Sequence, residues 1–205
     1  MKYIWINPVT DSMYDKEALD KVLLENGYQR IKHTNDWAKV VREKYHQEVL
    51  KSGKPVMDVR CPKIKALLEE SEGGLGITVP EIAPILLHCG VECSKMEENG
   101  EKIITTPCQA LADMGNALSL PETKFVPWNQ FAKFIGMDVL QKKIESSPIP
   151  PGFFDSLPIK TASISGENEI KCYLKQEISK GIQLVEMLYC KDGCHNGDGI
   201  RTEHK

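Results

Sequence analysis

Pro55-Val56-Met57-Asp58-Val59-Arg60-Cys61-Pro62-Lys63-Ile64-Lys65-Ala66-Leu67-Leu68-Glu69-Glu70 holds a strand, a turn and a helix in one short stretch. The run up to Arg60 reads as a β-strand. Proline suits the first turn of a helix, where its missing N–H would be unpaired anyway, so Pro62–Glu70 reads as a helix. Cys61 then lies at the carboxyl end of a strand, against a helix N-terminus. The same unit recurs: Lys102–Thr106 reads as a strand, Pro107-Cys108 as a turn and residues 109–114 as a short helix.

Outward from these units, residues 2–7, 28–32, 123–127 and 183–188 read as further strands, and residues 16–26, 36–51, 79–96, 128–145 and 167–179 as helices. Leu19, Val22 and Leu23 share one face of the first helix. Trp37, Val40, Val41, Tyr45 and Val49 point inward from the second, and Pro84 disturbs the start of the third. This alternation predicts an α/β fold: mostly parallel sheets flanked by helices. Residues 1–205 are expected to form a single domain, or two small lobes if the proline-rich stretch 146–152 acts as a hinge.

At 205 residues, with 41% hydrophobic and 27% charged residues, the chain is expected to fold as a soluble globular protein. A net charge of -3 without a basic stripe argues against nucleic-acid binding. Met1-Lys2-Tyr3-Ile4-Trp5 does not begin a signal peptide, and no run approaches a membrane span. The expected location is the cytoplasm.

Seven cysteines are present: Cys61, Cys89, Cys93, Cys108, Cys172, Cys190 and Cys194. In a reducing compartment they are core thiols, metal ligands or catalytic groups rather than disulfides. Cys61, Cys108 and Cys190 each follow a short apolar run that then turns, and ligands of open parallel sheets bind beyond the carboxyl ends of strands. Cys194 adds a fourth thiol, while Gly193, Gly197 and Gly199 allow close backbone approach and N–H donation. Spacing alone leaves two readings open: a metal or cluster site, or small core residues.

The three loops resemble those of the iron-only hydrogenases, in the family formed by the C-terminal catalytic domain of their large chain. Where that family has Cys-Cys-Pro, the chain has Asp58-Val59-Arg60-Cys61-Pro62. For Met-Pro-Cys-x-x-Lys it has Thr106-Pro107-Cys108-Gln109-Ala110-Leu111. For Glu-x-Met-x-Cys-x-x-Gly-Cys-x-x-Gly-Gly-Gly it has Glu186-Met187-Leu188-Tyr189-Cys190-Lys191-Asp192-Gly193-Cys194-His195-Asn196-Gly197-Asp198-Gly199. Ser163-Ile164-Ser165-Gly166 resembles the family's glycine-rich turn before a helix. The resemblance is clearest over residues 55–200. It implies a hydrogenase-like domain with a [4Fe–4S] cluster bound by Cys61, Cys108, Cys190 and Cys194, and Cys194 matches the cysteine that also bridges to a diiron unit.

The departures fall on the hydrogen chemistry. Arg60 replaces the proton-relay thiol, and arginine stays protonated. Leu111 replaces the lysine that supports the diiron unit, and Thr106 and Leu188 replace two methionines. The expectation is therefore one cubane without the diiron unit, in electron transfer or redox sensing with a redox partner protein and without hydrogen turnover. Two alternatives are a cluster-dependent enzyme with Arg60 as an anion site, and a zinc-stabilised or metal-free interaction domain. Cys89 and Cys93, four apart on one helix face, could join Cys190 and Cys194 in a rival tetrad. His88 and His195 flank cysteines and read as ordinary residues, with His195 the stronger candidate. Cys172, Trp5, Trp37 and Trp128 read as core. Glu69–Glu72 and Glu97–Glu101 read as solvated charge, and Gly73-Gly74-Leu75-Gly76 is a poor dinucleotide loop.

Overall fold

The computed structural model describes residues 2–70, 76–96, 99–142, 144–176 and 178–201. In chain order these form β1 (Lys2–Trp5), α1 (Pro8–Ser12), α2 (Lys16–Glu25), β2 (Tyr28–Arg30), α3 (Trp37–Lys51), β3 (Val56–Met57), α4 (Pro62–Glu70) and α5 (Ile85–Ser94). They continue with β4 (Lys102–Thr106), α6 (Gln109–Asn116), β5 (Thr123–Pro127), α7 (Trp128–Phe134), β6 (Thr161–Ser165), α8 (Glu167–Tyr173), β7 (Leu184–Leu188) and a 3₁₀ turn, Cys194–Asn196. The chain divides into two compact units. Unit 1 comprises Met1–Asn35, Leu86–Pro148 and Cys194–Lys205; unit 2 comprises Asp36–Ile85 and Ile149–Gly193. One division, at Pro148, falls within the stretch 146–152.

The fold is α/β, with all-parallel sheets flanked by helices. In unit 1 the strand order is β2-β1-β4-β5, with Ile4 opposite both Arg30 and Ile103. A parallel strand inside a sheet is covered on both faces and is apolar without alternation, and β4 is buried along its whole length. Phe125 of β5 is sandwiched by two glycines: a Cβ on Gly90 of α5 would lie 2.4 Å from its ring, and one on Gly115 of α6 would lie 2.3 Å away. Trp128 is fully buried and donates its indole N–H to Tyr14 Oη at 3.0 Å.

In unit 2 the strand order is β3-β7-β6. Alternate side chains of a strand face opposite ways. Val185 and Met187 of β7 join one apolar cluster with Ile64 and Leu68 of α4 and with Ile170 and Leu174. Leu184 joins another, with Val41, Tyr45 and Val49 of α3 and with Phe154. Helices thus cover both faces of this small sheet.

Several boundaries differ from the sequence expectation. The first cysteine strand stops at Met57 rather than Arg60, because the Asp58 side chain accepts the Arg60 backbone N–H and turns the chain. The helix expected over 128–145 ends at Phe134, where Gly136 adopts φ 61 and the Lys142 N–H is drawn to Met13 O. The helix expected over 79–96 starts at Ile85, past Pro84, and that expected over 167–179 ends at Tyr173. Strand β6 lies where a glycine-rich turn was expected. Its Thr-Ala-Ser-Ile-Ser sequence carries little apolar signal, and it is an edge strand. Val40 is exposed and Trp37 half-buried, so only Val41, Tyr45 and Val49 of α3 face fully inward. Residues 71–75 and 97–98 lie outside the described residues, and with them most of the Gly73–Gly76 loop and parts of both acidic runs. Among the described residues, no helix is long and apolar enough to cross a membrane.

The sandwiched ring of Phe125 has no room to yield toward either helix. Gly115→Ala should therefore lower stability by about 1–3 kcal/mol from overpacking, despite the better helix propensity of alanine. Gly53→Ala, with open space around it, should change stability by less than about 0.5 kcal/mol. Urea unfolding of both variants is the measurement.

Candidate functional site

Unit 2 carries Cys61 and Cys190, one beyond each of two paired strands, β3 and β7. Cys61 sits immediately before α4, and its carbonyl accepts the Ile64 and Lys65 N–H groups at 3.0 and 3.2 Å. Burial pushes its thiol pKa up, and the nearby Asp58 carboxylate adds to this. Backbone N–H groups of Ile64, Tyr189 and Lys63, bonded to the sulfur, pull the other way. Donors of this kind stabilise a thiolate and tune a bound cluster. The Tyr189 donor directly precedes Cys190, so the two cysteine loops of this unit are in register. Around Cys190, the Gly193 N–H closes a turn onto Cys190 O at 3.2 Å, and the Asp192 N–H reaches Ser165 Oγ. Tyr189 donates its hydroxyl to Glu167 at 2.5 Å, and Lys63 lies over its ring.

Arg60 is engaged by its own unit. Its guanidinium donates to both oxygens of Asp58 (Nε at 2.9 and 3.0 Å, Nη2 at 2.7 Å) and to Glu186 at 2.9 Å. Phe153 and Phe154 cover it, with ring centroids 3.9 and 4.7 Å away. Glu186 also accepts from the Gly152 and Phe153 N–H groups and from Ser163 Oγ. Burial opposes the charge on Arg60, but attraction and hydrogen bonding from Asp58, with Glu186 adding, hold the guanidinium protonated beyond its ordinary range. Tyr45 lies beneath, accepting the Val59 N–H at 2.9 Å; burial and the charge of Asp58 push its hydroxyl well above the usual tyrosine range. This network occupies the residue weighed as an anion site. Sequence reasoning singled out neither Asp58 nor the network role of Glu186, although each is a lone carboxylate between apolar neighbours.

Unit 1 carries Cys108 and Cys194. Cys108 is the N-cap of α6, in an extended conformation (φ -156, ψ 161), and its side chain makes no capping bond. The third loop lies on the second. Gly199 N–H donates to Pro107 O at 3.1 Å, and Gln109 N–H donates to Asp198 Oδ1 at 3.0 Å. A Cβ on Gly197 would come 2.3 Å from Pro107 O, and one on Gly199 would come 3.0 Å from Cys108 N. The N–H groups of Gly193, Gly197 and Gly199 all go to backbone carbonyls. These glycines supply close approach rather than donors to a thiol. His195 is buried, with Nε2 3.2 Å from Asn196 Nδ2 and no partner on Nδ1 among the described residues. Leu111 and Thr106 are buried too.

No family model, curated protein or solved structure matches the chain. Among the described residues, no group of three or more His, Cys, Asp or Glu side chains is placed to hold a metal ion. Each unit by itself offers two of the four thiols that a cubane takes. Cys61, Cys190 and Cys108 each follow a strand, β3, β7 and β4 in turn.

The other cysteines separate by burial. Cys89 and Cys93 are buried on α5, and burial first, then the neighbouring Cys93 and Glu92, pushes the Cys89 thiol up to about 12. Cys172, expected in the core, is exposed, because Ile170 and Leu174 are the residues of this segment that reach the core.

Arg60→Ala leaves two buried carboxylates without their cation and should cost about 3–5 kcal/mol, read by urea unfolding. Iodoacetamide at about pH 8 should label Cys172 quickly and leave Cys89 unlabelled in the folded chain, read by peptide mass spectrometry.

Proposed function

We propose that this chain binds one [4Fe–4S] cluster through Cys61, Cys108, Cys190 and Cys194. It serves in electron transfer or redox sensing with a redox partner protein in the cytoplasm, and it does not turn over hydrogen. The observation that carries this reading is the placement of the thiols: Cys61 and Cys190 follow the paired strands β3 and β7, and Cys108 follows β4 at the head of α6. Ligands of parallel sheets bind beyond the carboxyl ends of strands. The resemblance of the three loops to those of the iron-only hydrogenases supplies the ligand set.

When bound, such a cluster supplies one-electron redox chemistry. The protein's own part is to hold four thiolates and to set their charge environment. The Lys63, Ile64 and Tyr189 N–H groups favour the ionised form of Cys61 against the burial that opposes it. Arg60 is a fixed, neutralised cation inside an ion-pair network, and a group held protonated so firmly cannot relay protons. Leu111 offers no hydrogen bond to a ligand of a diiron unit. These two residues support the reading without hydrogen chemistry.

Anaerobic reconstitution with iron and sulfide should give about four irons per chain, a brown colour and absorbance near about 400 nm. Cys108→Ala should lower the iron content sharply, while Cys172→Ala leaves it unchanged. Protein loaded in this way, and exposed to a complete hydrogenase maturation system, should show no hydrogen evolution or uptake with a reduced dye. A colourless protein holding zinc, or one holding no metal, would overturn the cluster. Infrared bands of bound carbon monoxide and cyanide, or substantial turnover, would overturn the absence of hydrogen chemistry.

A further inference from the structure

We propose that Gly197-Asp198-Gly199 forms a clamp that fixes the presentation of Cys108, with Asp198 as its positioning residue. As a statement about a cluster ligand this rests on the function proposed above; as a statement about the Cys108 thiol it rests on geometry alone.

Cys108 occupies an N-cap, the place where a side-chain oxygen usually satisfies the free N–H groups of the first helical turn. A thiol is a poor acceptor, and the Cys108 side chain makes no such bond. The Asp198 carboxylate fills that role from a distant stretch of chain, accepting the Gln109 N–H at 3.0 Å. Its negative charge also lies at the favourable end of the α6 dipole. On the other side of Cys108, Pro107 O accepts the Gly199 N–H at 3.1 Å, and the Thr106 hydroxyl donates to Cys108 O at 2.9 Å. The backbone is thus tied before, at and after Cys108, which frees its side chain from the capping role.

The clamp has its own support. Asn129, at the start of α7, donates its backbone N–H to Gly199 O at 2.9 Å and its side-chain amide to Asp198 O at 3.0 Å. The two glycines admit no side chain. A Cβ at Gly197 would overlap Pro107 O, and one at Gly199 would crowd Cys108 N and Pro127 Cβ, each at 3.0 Å. Asp198, between them, is the one residue of the three with a side chain, and that side chain reaches the helix.

Cys108 is buried, so a reagent reaches its thiol only when the loop opens locally, and weakening the clamp raises the open population. Loss of a capping bond corresponds to on the order of fivefold in that population. In the full-length protein without cluster, Asp198→Ala should raise the rate of Cys108 alkylation by about fivefold, read residue by residue by mass spectrometry. Asp198→Asn keeps an acceptor oxygen and should recover most of the protection. Cys61, in the other unit, should react at the wild-type rate in both variants. In the reconstituted protein, Asp198→Ala should lose iron to a chelator several-fold faster than Asp198→Asn. Unchanged Cys108 alkylation in Asp198→Ala, with circular dichroism intact, overturns the clamp, as does an equal rise at Cys61, which would mean general loosening. If Asp198→Ala does not fold, Asp198→Asn and Asp198→Ser carry the comparison, and equal wild-type Cys108 alkylation in both overturns it. Wild-type protein that takes up no iron, yet shows the fivefold Cys108 effect, would refute the cluster and leave the clamp standing.

Discussion

A guanidinium buried between two carboxylates governs unit 2. Taking Arg60, Asp58 and Glu186 out of water costs several kcal/mol per ion, and the arrangement is tolerable only because each charge is bonded repeatedly. Asp58 receives the backbone and side chain of Arg60. Glu186 receives Arg60, two backbone N–H groups and a serine hydroxyl. The network therefore joins the turn after β3, residues 152–153, β6 and β7. Because Asp58 binds the Arg60 N–H, the strand ends early and the chain bends into α4. That bend sets Cys61 directly before α4, where its carbonyl accepts the Ile64 and Lys65 N–H groups.

Unit 1 reaches a similar end by different means. Here two backbones lie directly against each other, and glycine makes that possible. The strand ends at Thr106, the thiol follows at Cys108, and the returning chain at Gly197–Gly199 holds it in place. Burial makes both arrangements stiff. In one, a misplaced group would strand a charge; in the other, a single added methyl would strike a carbonyl.

The parallel α/β architecture was legible in the sequence because its signals are local and repeated. β4, β5, α4 and the start of α2 coincide with the periodic reading, and the proline at the head of α4 marks its start. Short or edge elements were not legible. β6 is too polar to announce itself, and α1 is a single turn held by the Asn7 cap. The early end of β3 depends on one side-chain bond that no periodicity records. At the candidate site, the four cysteines stand out by their strand-end context. The residues that arrange them do not, because the bond from Gln109 to Asp198 and the ion pair from Arg60 to Glu186 span long stretches of chain. Cys172 was misjudged because cysteine is usually buried, and the orientation of α8 decides otherwise.

The division of the chain has a consequence during synthesis. Chains emerge from the ribosome N-terminus first, and domains generally fold as units. Unit 1 takes its first strand from Lys2–Trp5 and its last turn from Cys194 onward, while the whole of unit 2 lies in between. Residues 36–193 contain everything unit 2 needs, so unit 2 can complete its fold while unit 1 still waits for its closing segment. The loop that docks on Cys108 is made after the whole of unit 2. Until it arrives, a thiol destined for burial stays open to the solvent and to whatever the cell supplies there.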